Sequence, residues 1–567
     1  MKLIIKNGCV FDPINGVDGE VMDLAVSNGK IVEDMEEKRS DIFVIDAKHS
    51  TVMPGGVDIH SHIAGSKVNA GRLLRPEDHL RDFERCTDIL RSGVGHSVPS
   101  TFTTGYRYSG LGYTTVFEPA VPPLKARHTH EELGDTPQID TGCFPLLNDN
   151  WIVMEHLARG DVEGCAAFVA WLLRATKGYA IKIVNPGGLE AWAWGKNITD
   201  LDEEVPHFSV TPREILRGLC KINSLLGLPH AIHVHPNNLG VPGNYLTCLK
   251  TMDSVSDLAD GKKPIIHMTH AQFISYGGFD WASVNSKADK IAKYVNTHPH
   301  VSIDMGQVIF CDTTTMTADG PFQHRLHMLT GGKWMNADVE SECSSGVVPI
   351  RYRAKNYAHA VMWAIGLELA LFVQDPWRVF LTTDHPNGGP FTAYPRVIAW
   401  LTSAPARSKV LNRIPRLARV RTNLSSIDRE YSIYEIAIIT RAATARSLGL
   451  NHKGHLAPGA DADIAIYDFD PRTLDPSRDY VEVMKAFRRA KYTIKDGEIM
   501  VKDGEVVRSD FGKTYWVNPG VSEDLMDSKM KELAEKFREY YTVEKENYEI
   551  PETYLANPHA IDTVATV

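Results

Sequence analysis

Among the eight cysteines (Cys9, Cys86, Cys143, Cys165, Cys220, Cys248, Cys311 and Cys343) no two are spaced as CxxC. Iron–sulfur ligation and paired redox thiols favour that spacing, so neither is expected, and scattered thiols suit a reducing compartment. Long apolar runs are also missing. Stretches such as residues 166–173 stop far short of the ~20 residues that cross a bilayer, so no membrane span is expected. The opening Met1-Lys2-Leu3-Ile4-Ile5-Lys6-Asn7-Gly8 lacks the apolar centre of a signal peptide, which makes a cytoplasmic location the expectation. Basic residues are outnumbered: 61 Lys and Arg against 71 Asp and Glu give a net charge of −10. That balance argues against nucleic acid or an anionic membrane as a general partner. Internal repeats and low-complexity stretches are absent.

What the chain does have is length. Its 567 residues, 43% hydrophobic and 23% charged, are ordinary in composition but too many for one simple core. The first 52 residues read as short strands parted by turns at Asn15-Gly16 and Asn28-Gly29, a hairpin signal. The same texture returns in 463–468 and 492–507, so strands from both chain ends are expected to pair into a small β-sandwich. Between them, short β-branched runs alternate with helical stretches such as 212–226 and 358–373. Candidate strands at 57–62, 113–118, 139–147, 179–184, 230–235, 264–268, 300–304 and 379–384 predict an α/β fold with a TIM-like (β/α)₈ barrel. Segments 106–112 and 306–353 are long for connections and are expected to be active-site loops or insertions. The tail beyond about 511, with Lys and Glu alternating through 522–541, reads as a solvated surface helix. The expected layout is sandwich (1–52), barrel (53–440), sandwich again (441–510) and a C-terminal extension (511–567).

One stretch concentrates the chemistry: Pro54-Gly55-Gly56-Val57-Asp58-Ile59-His60-Ser61-His62. On a strand, residues i and i+2 share a face, so both imidazoles point one way with Asp58 behind them. That is half of a divalent-metal site, and the glycines would let the strand end approach an ion. Chance pairs of histidines are common, so the reading depends on what else agrees. Reactive groups of a barrel belong at strand C-terminal ends. Lys182 interrupts the apolar run Tyr179-Ala180-Ile181-Lys182-Ile183-Val184, His235 ends the fifth strand, His267 the sixth, and Asp384 the eighth. Singly, each has a plainer role: a paired buried lysine, core histidines, a helix cap. In series they do not. His270 rivals His267, and Lys177 rivals Lys182. Asn148, Asp304 and Gln307 are candidates for substrate contact, and His385 either orients Asp384 or the leaving amine or is a loop histidine with no role. His128 and His130 read as a solvated turn, His298 and His300 lie at the wrong end of a strand, and His233, one residue pair deeper than His235 on the same face, reads as support for the site's residues or as packing.

With this order of residues the chain resembles the amidohydrolase superfamily, in particular its members with two metals bridged by a carboxylated lysine. The resemblance covers nearly the whole chain, including the return through Arg441-Ala442-Ala443-Thr444-Ala445-Arg446 and Gly454-His455-Leu456-Ala457-Pro458-Gly459-Ala460-Asp461-Ala462-Asp463. It implies that His60, His62 and Asp384 hold one zinc and His235 and His267 the other, with a carbamate on Lys182 between them. A buried lysine loses its proton more readily, and the neutral amine can take up CO₂. The implied chemistry is attack of zinc-activated water on a carbonyl, with Asp384 carrying the proton, or the reverse reaction.

His235-Pro236-Asn237-Asn238 departs from the His-Ala-Glu-Asn of ring-opening members. Phe144-Pro145-Leu146-Leu147-Asn148-Asp149-Asn150-Trp151, His267-Met268-Thr269-His270-Ala271-Gln272-Phe273 and Gly320-Pro321-Phe322-Gln323 resemble the A-subunit family of formylmethanofuran dehydrogenase. That resemblance implies joining of formate to the amine of methanofuran in the first step of methanogenesis from CO₂. It also implies iron–sulfur subunits and a molybdenum- or tungsten-pterin partner that make the formate, with no redox cofactor in this chain. The alternatives are a free-standing cyclic amidohydrolase and a non-catalytic scaffold, and the filled ligand positions count against the last.

Overall fold

The computed structural model describes residues 2–34, 42–336, 345–541 and 543–566, so Cys343 lies outside the described residues. The other seven cysteines form no disulfide. The Asn-Gly turns do what their left-handed propensity favours. Strand Lys2–Asp12 pairs antiparallel with Val17–Ser27, which turns at Asn28 and Gly29, both at positive φ, into Lys30–Val32. From the other chain end, Ile464–Tyr467 pairs antiparallel with Thr51–Pro54, and Tyr492–Lys495 and Glu498–Lys502 follow as a hairpin. These strands share one nine-stranded sheet, and Leu3, Ile5, Val26, Val52, Ile464 and Ile466 form its core.

The central body is a (β/α)₈ barrel. Its strands are β1 (Gly56–Asp58), β2 (Tyr113–Val121), β3 (Asp140–Pro145), β4 (Lys182–Val184), β5 (Ile232–His235), β6 (Ile266–Met268), β7 (Val301–Asp304) and β8 (Val379–Phe380). All neighbouring pairs run parallel. Two arcs, β1–β3 and β4–β8, close on each other through parallel bridges at Leu146↔Lys182 and Ser61↔His385. All eight predicted strands are present, but most are shorter than expected. His60 and His62 lie just past β1, and Asp384 lies four residues past β8 at φ 48°. Gly55 and Gly56 serve packing rather than approach to an ion. A Cβ on Gly56 would fall 2.5 Å from the Tyr113 ring, and one on Gly55 2.7 Å from the Thr114 methyl.

Two expectations are corrected, and a third, the insertion at 306–353, takes definite form. Residues 106–112 are not a loop; they complete the helix Thr101–Gly110 and its turn. The described part of 306–353 folds into a cap, with Asp312–Thr317 and Gly346–Arg351 paired antiparallel and the helix Gly320–Thr330 between them. The helix Ser66–Leu74 packs on this cap through Val68 and Ala70, against Met316 and Val347. Asn387 Oδ1 accepts from Met316 N at 2.6 Å, which ties the cap to the loop after β8. The tail is not a solvated appendage. Thr514–Pro519 pairs parallel with β3 and with Pro558–Thr563, extending the barrel sheet. Helix Glu523–Tyr540 buries Leu533 and Phe537, and Phe537 packs on Phe168 and Trp171. Leu533, Phe537 and Tyr541 recur every four residues, so they form one apolar stripe among the charges.

A buried ion network joins these parts. Lys453 Nζ lies 2.6 Å from Asp140, 2.7 Å from Asp463 and 3.2 Å from Asp461, and Lys495 lies 3.0 Å from Asp140. Lys513 of the tail meets Asp461 and Asp496. Among the described residues, no helix is long and apolar enough to cross a membrane.

Candidate metal centre

The predicted residues lie toward the C-terminal end of the barrel in two layers: His235 ends β5 and His60, His62 and Asp384 lie past their strands, while Lys182 begins β4 and His267 sits in mid-β6, one residue pair deeper. His60, His62, Lys182, His235, His267 and Asp384 are each at most 3% exposed. Asp384 Oδ1 lies 3.0 Å from His60 Nε2 and 3.5 Å from His62 Nε2. It also accepts from Asn387 Nδ2 at 2.8 Å. On its far side, His62 Nδ1 is 2.7 Å from Glu118 Oε1, while Glu118 Oε2 accepts from the backbone of Ile63 and Ala64. A carboxylate accepts only, so Nδ1 of His62 carries a proton and its Nε2 faces Asp384. Burial lowers the affinity of His62 for a second proton, but Glu118 and Asp384 more than offset this and raise it. The same negative surroundings favour a metal cation in the proton's place.

Lys182 is the unusual member. It stands level with His233 in the β4–β5 ladder, and His233 stands level with His267 in the β5–β6 ladder. Its Nζ has no hydrogen-bond partner among the described residues. Burial pushes the amine down to about 7, against the pull of Asp384 and Asp304. A buried ammonium without acceptors is costly, whereas a neutral amine there is free to be carboxylated. Asp384 moves the opposite way, raised by burial against its bonds to His62 and Asn387.

The two rival histidines differ. His267 has both nitrogens engaged, Nδ1 with Ser302 Oγ at 2.9 Å and Nε2 with Asp304 Oδ2 at 3.1 Å. His270 sits beyond β6 at φ 36°, and a Cβ on Gly306 would lie 2.5 Å from its own Cβ, so the backbones are pressed together there. Its Nδ1 has no hydrogen-bond partner among the described residues, and its ring centroid is 4.9 Å from His235 and 5.2 Å from His60. Among the described residues, His60, His270 and Asp384 bring ligand atoms within 4.8 Å of one another, as do His60, His233 and Asp304. His235 Nε2 is 3.2 Å from Asp319 Oδ2, a carboxylate from the cap.

Glu118 and Asp319 escaped the sequence reading. Glu118 left a signal, as a charge ending the run Tyr113-Thr114-Thr115-Val116-Phe117; Asp319 left none, since no spacing relates the cap to β5. The weaker candidates serve structure. Asn148 bonds both backbone groups of Val184, and Gln307 Nε2 donates to Val308 and Trp363 carbonyls. His385 accepts from Phe391 N through Nδ1. His130 is buried in the helix Ala126–Gly134, not in a solvated turn, and bonds the Thr176 carbonyl. Lys177 Nζ lies over the Trp516 ring, away from the centre.

Residues 44–501 match the amidohydrolase family. The chain is 55% identical to protein FwdA of Methanocaldococcus jannaschii over 573 residues, covering all of both chains. It is 37% identical to the A-subunit of the formyltransferase/hydrolase complex Fhc of Methylorubrum extorquens over 525 residues, 90% of each chain. A chain in the structure of that bacterium's FhcABCD complex with methylofuran superposes with a TM-score of 0.88 at 34% identity, over 99% of both chains. The chain therefore belongs to the amidohydrolase family, in the group that holds FwdA and the Fhc A-subunit.

Proposed function

We propose that this centre holds two zinc ions and joins formate to the primary amine of methanofuran. The observation that carries the reading is the buried, unpartnered Nζ of Lys182 among histidines and carboxylates. In this reading His60, His62 and Asp384 would hold one ion and His235 and His270 the other, with Lys182, carboxylated, as a further ligand. His270 takes the place that strand order gives His267, because its Nδ1 is open while both nitrogens of His267 are engaged. Bound zinc would supply Lewis acidity toward a carbonyl oxygen and lower the pKa of water to about 7.

The chain's own residues then do the following. Glu118 fixes the His62 ring through Nδ1 so that Nε2 faces the centre, and Asp319 of the cap engages Nε2 of His235, which leaves Nδ1 of that ring for an ion. The ammonium loses one proton to become the nucleophile and a second as the C–N bond forms; Asp384, with burial raising its proton affinity, relays them to the departing oxygen, which leaves as water. Formate and an alkylammonium give a formamide and water, so atoms and charge balance without an electron transfer. This agrees with the absence of CxxC and other redox motifs from the sequence. Formate would come from a molybdenum- or tungsten-pterin partner subunit fed by iron–sulfur subunits, in the cytoplasm. The two relatives support formyl chemistry within a multi-subunit complex, one by the name FwdA and the other as the A-subunit of a formyltransferase/hydrolase complex seen with methylofuran.

Metal analysis of the purified full chain tests the centre. Two zinc ions per chain, with at least one lost in Lys182→Ala, is the expected result. A wild-type chain that retains no divalent metal after zinc loading contradicts it.

A further inference from the structure

The barrel interior holds a second line of histidines that the proposed reaction leaves without a role. His60 Nδ1 lies 2.9 Å from His233 Nε2, His233 Nδ1 3.0 Å from His230 Nε2, and His230 Nδ1 2.8 Å from the Ser447 carbonyl oxygen. All three rings are at most 1% exposed. They are packed against one another, with Phe144 beside His230 and His233 at 5.6 and 5.0 Å and His267 stacked on His233 at 4.7 Å. No carboxylate is hydrogen-bonded to His230 or His233 among the described residues; Asp304 Oδ2 lies 3.6 Å from Nδ1 of His60. These surroundings favour neutral rings, each with one N–H.

The direction of the chain then follows from its end. A backbone carbonyl can only accept, so Nδ1 of His230 donates to Ser447 and its Nε2 is left as an acceptor. That acceptor requires Nδ1–H on His233, whose Nε2 in turn accepts. His60 is thereby left to donate from Nδ1, and its Nε2 lone pair faces Asp384 at 3.0 Å, two acceptors whose approach a bound cation would satisfy where no N–H is available. We infer that His233 and His230 are positioning residues that transmit the hydrogen-bond polarity of the Ser447 carbonyl, at the foot of the barrel, to His60. They hold His60 in the one tautomer that can bind a metal through Nε2. Serial histidines make the arrangement specific. One reversed ring would leave two N–H groups, or two lone pairs, facing each other in a space with no water to relieve them. The inference rests on the metal reading above, since an ion is what Nε2 of His60 addresses.

The test is zinc binding by the metal-stripped full chain, measured against a competing chelator, with thermal melts run alongside. Removing an outer partner of a metal-binding histidine typically costs ~10–100-fold in affinity. His233→Phe, which keeps an aromatic ring but removes the acceptor, is expected to weaken one of the two sites by about that factor and leave the other unchanged. His233→Gln offers an amide oxygen to His60 Nδ1 and is expected to recover most of the loss at a similar melting temperature. His230→Phe breaks the line one step farther out and should give a smaller loss in the same direction, which covers the case in which His233→Phe does not fold. Wild-type affinity in both Phe variants overturns the inference. So does a Gln variant as weak as the Phe variant, which would mean that packing alone was lost. A wild-type chain that binds no zinc overturns the metal reading itself.

Discussion

Replacing Lys453 with Met should be among the most damaging single changes outside the catalytic centre, and its size can be worked from the contacts. Lys453 is 2% exposed and faces three carboxylates, those of Asp140 in the barrel and of Asp461 and Asp463 on the approach to the sandwich. With Lys30, Lys495, Lys513 and Asp496 it makes a group of four cations and four anions. Methionine keeps the bulk and deletes one charge, leaving the group one charge negative with little water to screen it. Breaking a buried pair in this way costs about 3–5 kcal/mol. Lys495 stays on Asp140, and Lys30 and Lys513 stay on Asp461, which places the expected loss near the lower end, about 3 kcal/mol.

The pH dependence has a definite sign. Burial pushes the Asp140 and Asp461 carboxyls up, but Lys453 and its neighbours overcome it and hold both below the ordinary range. That contribution is present above a pH of about 4 and is lost as pH falls through the folded values. Burial lowers Lys453 and Lys495, but the aspartates overcome it and hold both above the ordinary value, so their contribution is lost only at strongly alkaline pH. The deficit of the variant should therefore be flat from about pH 5 to 9. Urea unfolding followed by tryptophan fluorescence measures it, and Lys453→Met/Asp463→Asn, which restores the charge balance, should recover part of the loss. A deficit under about 1 kcal/mol, the range of an exposed pair, would refute the reasoning.

Two further changes follow from the packing. Phe537→Ala removes the ring that docks helix Glu523–Tyr540 on Phe168 and Trp171 and should cost about 3–5 kcal/mol. Limited proteolysis should then cut within that helix first, and cleavage at the wild-type rate would count against the docking. Glu368 is buried and accepts from Ser286 and from the backbone of Asn423 and Leu424, and burial pushes its carboxyl up to about 7. A raised carboxyl gives stability that is present below its unfolded value and lost as pH climbs through the folded one. Relative to Glu368→Gln, the wild type should lose up to about 3 kcal/mol between pH 4.5 and 8, and a flat difference would contradict the assignment.

The strand order of the barrel was legible because five of its eight strands are short apolar runs that carry or lead into a residue able to ligate a metal: His60, Lys182, His235, His267 and Asp384. Strand lengths were not. The chain continues past the last ladder bond, and Asp384 takes a left-handed conformation that Asp tolerates better than most residues but that no neighbouring turn signal places at this position. The choice between His267 and His270 had the same limit. It depends on how Gly306 lets its backbone press against His270, and on Ser302 and Asp304 occupying His267, contacts made across strands. The tail was misread for a different reason. Its Lys and Glu alternation describes the outer face of the helix, while the four-residue repeat of Leu533, Phe537 and Tyr541 describes the inner one, and both were present in the sequence.

The central claim is tested most directly by formate release. The zinc-loaded full chain is incubated with formylmethanofuran, or with N-formyl furfurylamine as its simplest analogue, and formate is measured over time. The account predicts release that requires zinc and is lost in Lys182→Ala and in Asp384→Asn. Inert formamides, with the same zinc-loaded protein opening a dihydropyrimidine ring, would contradict it and identify a free-standing cyclic amidohydrolase.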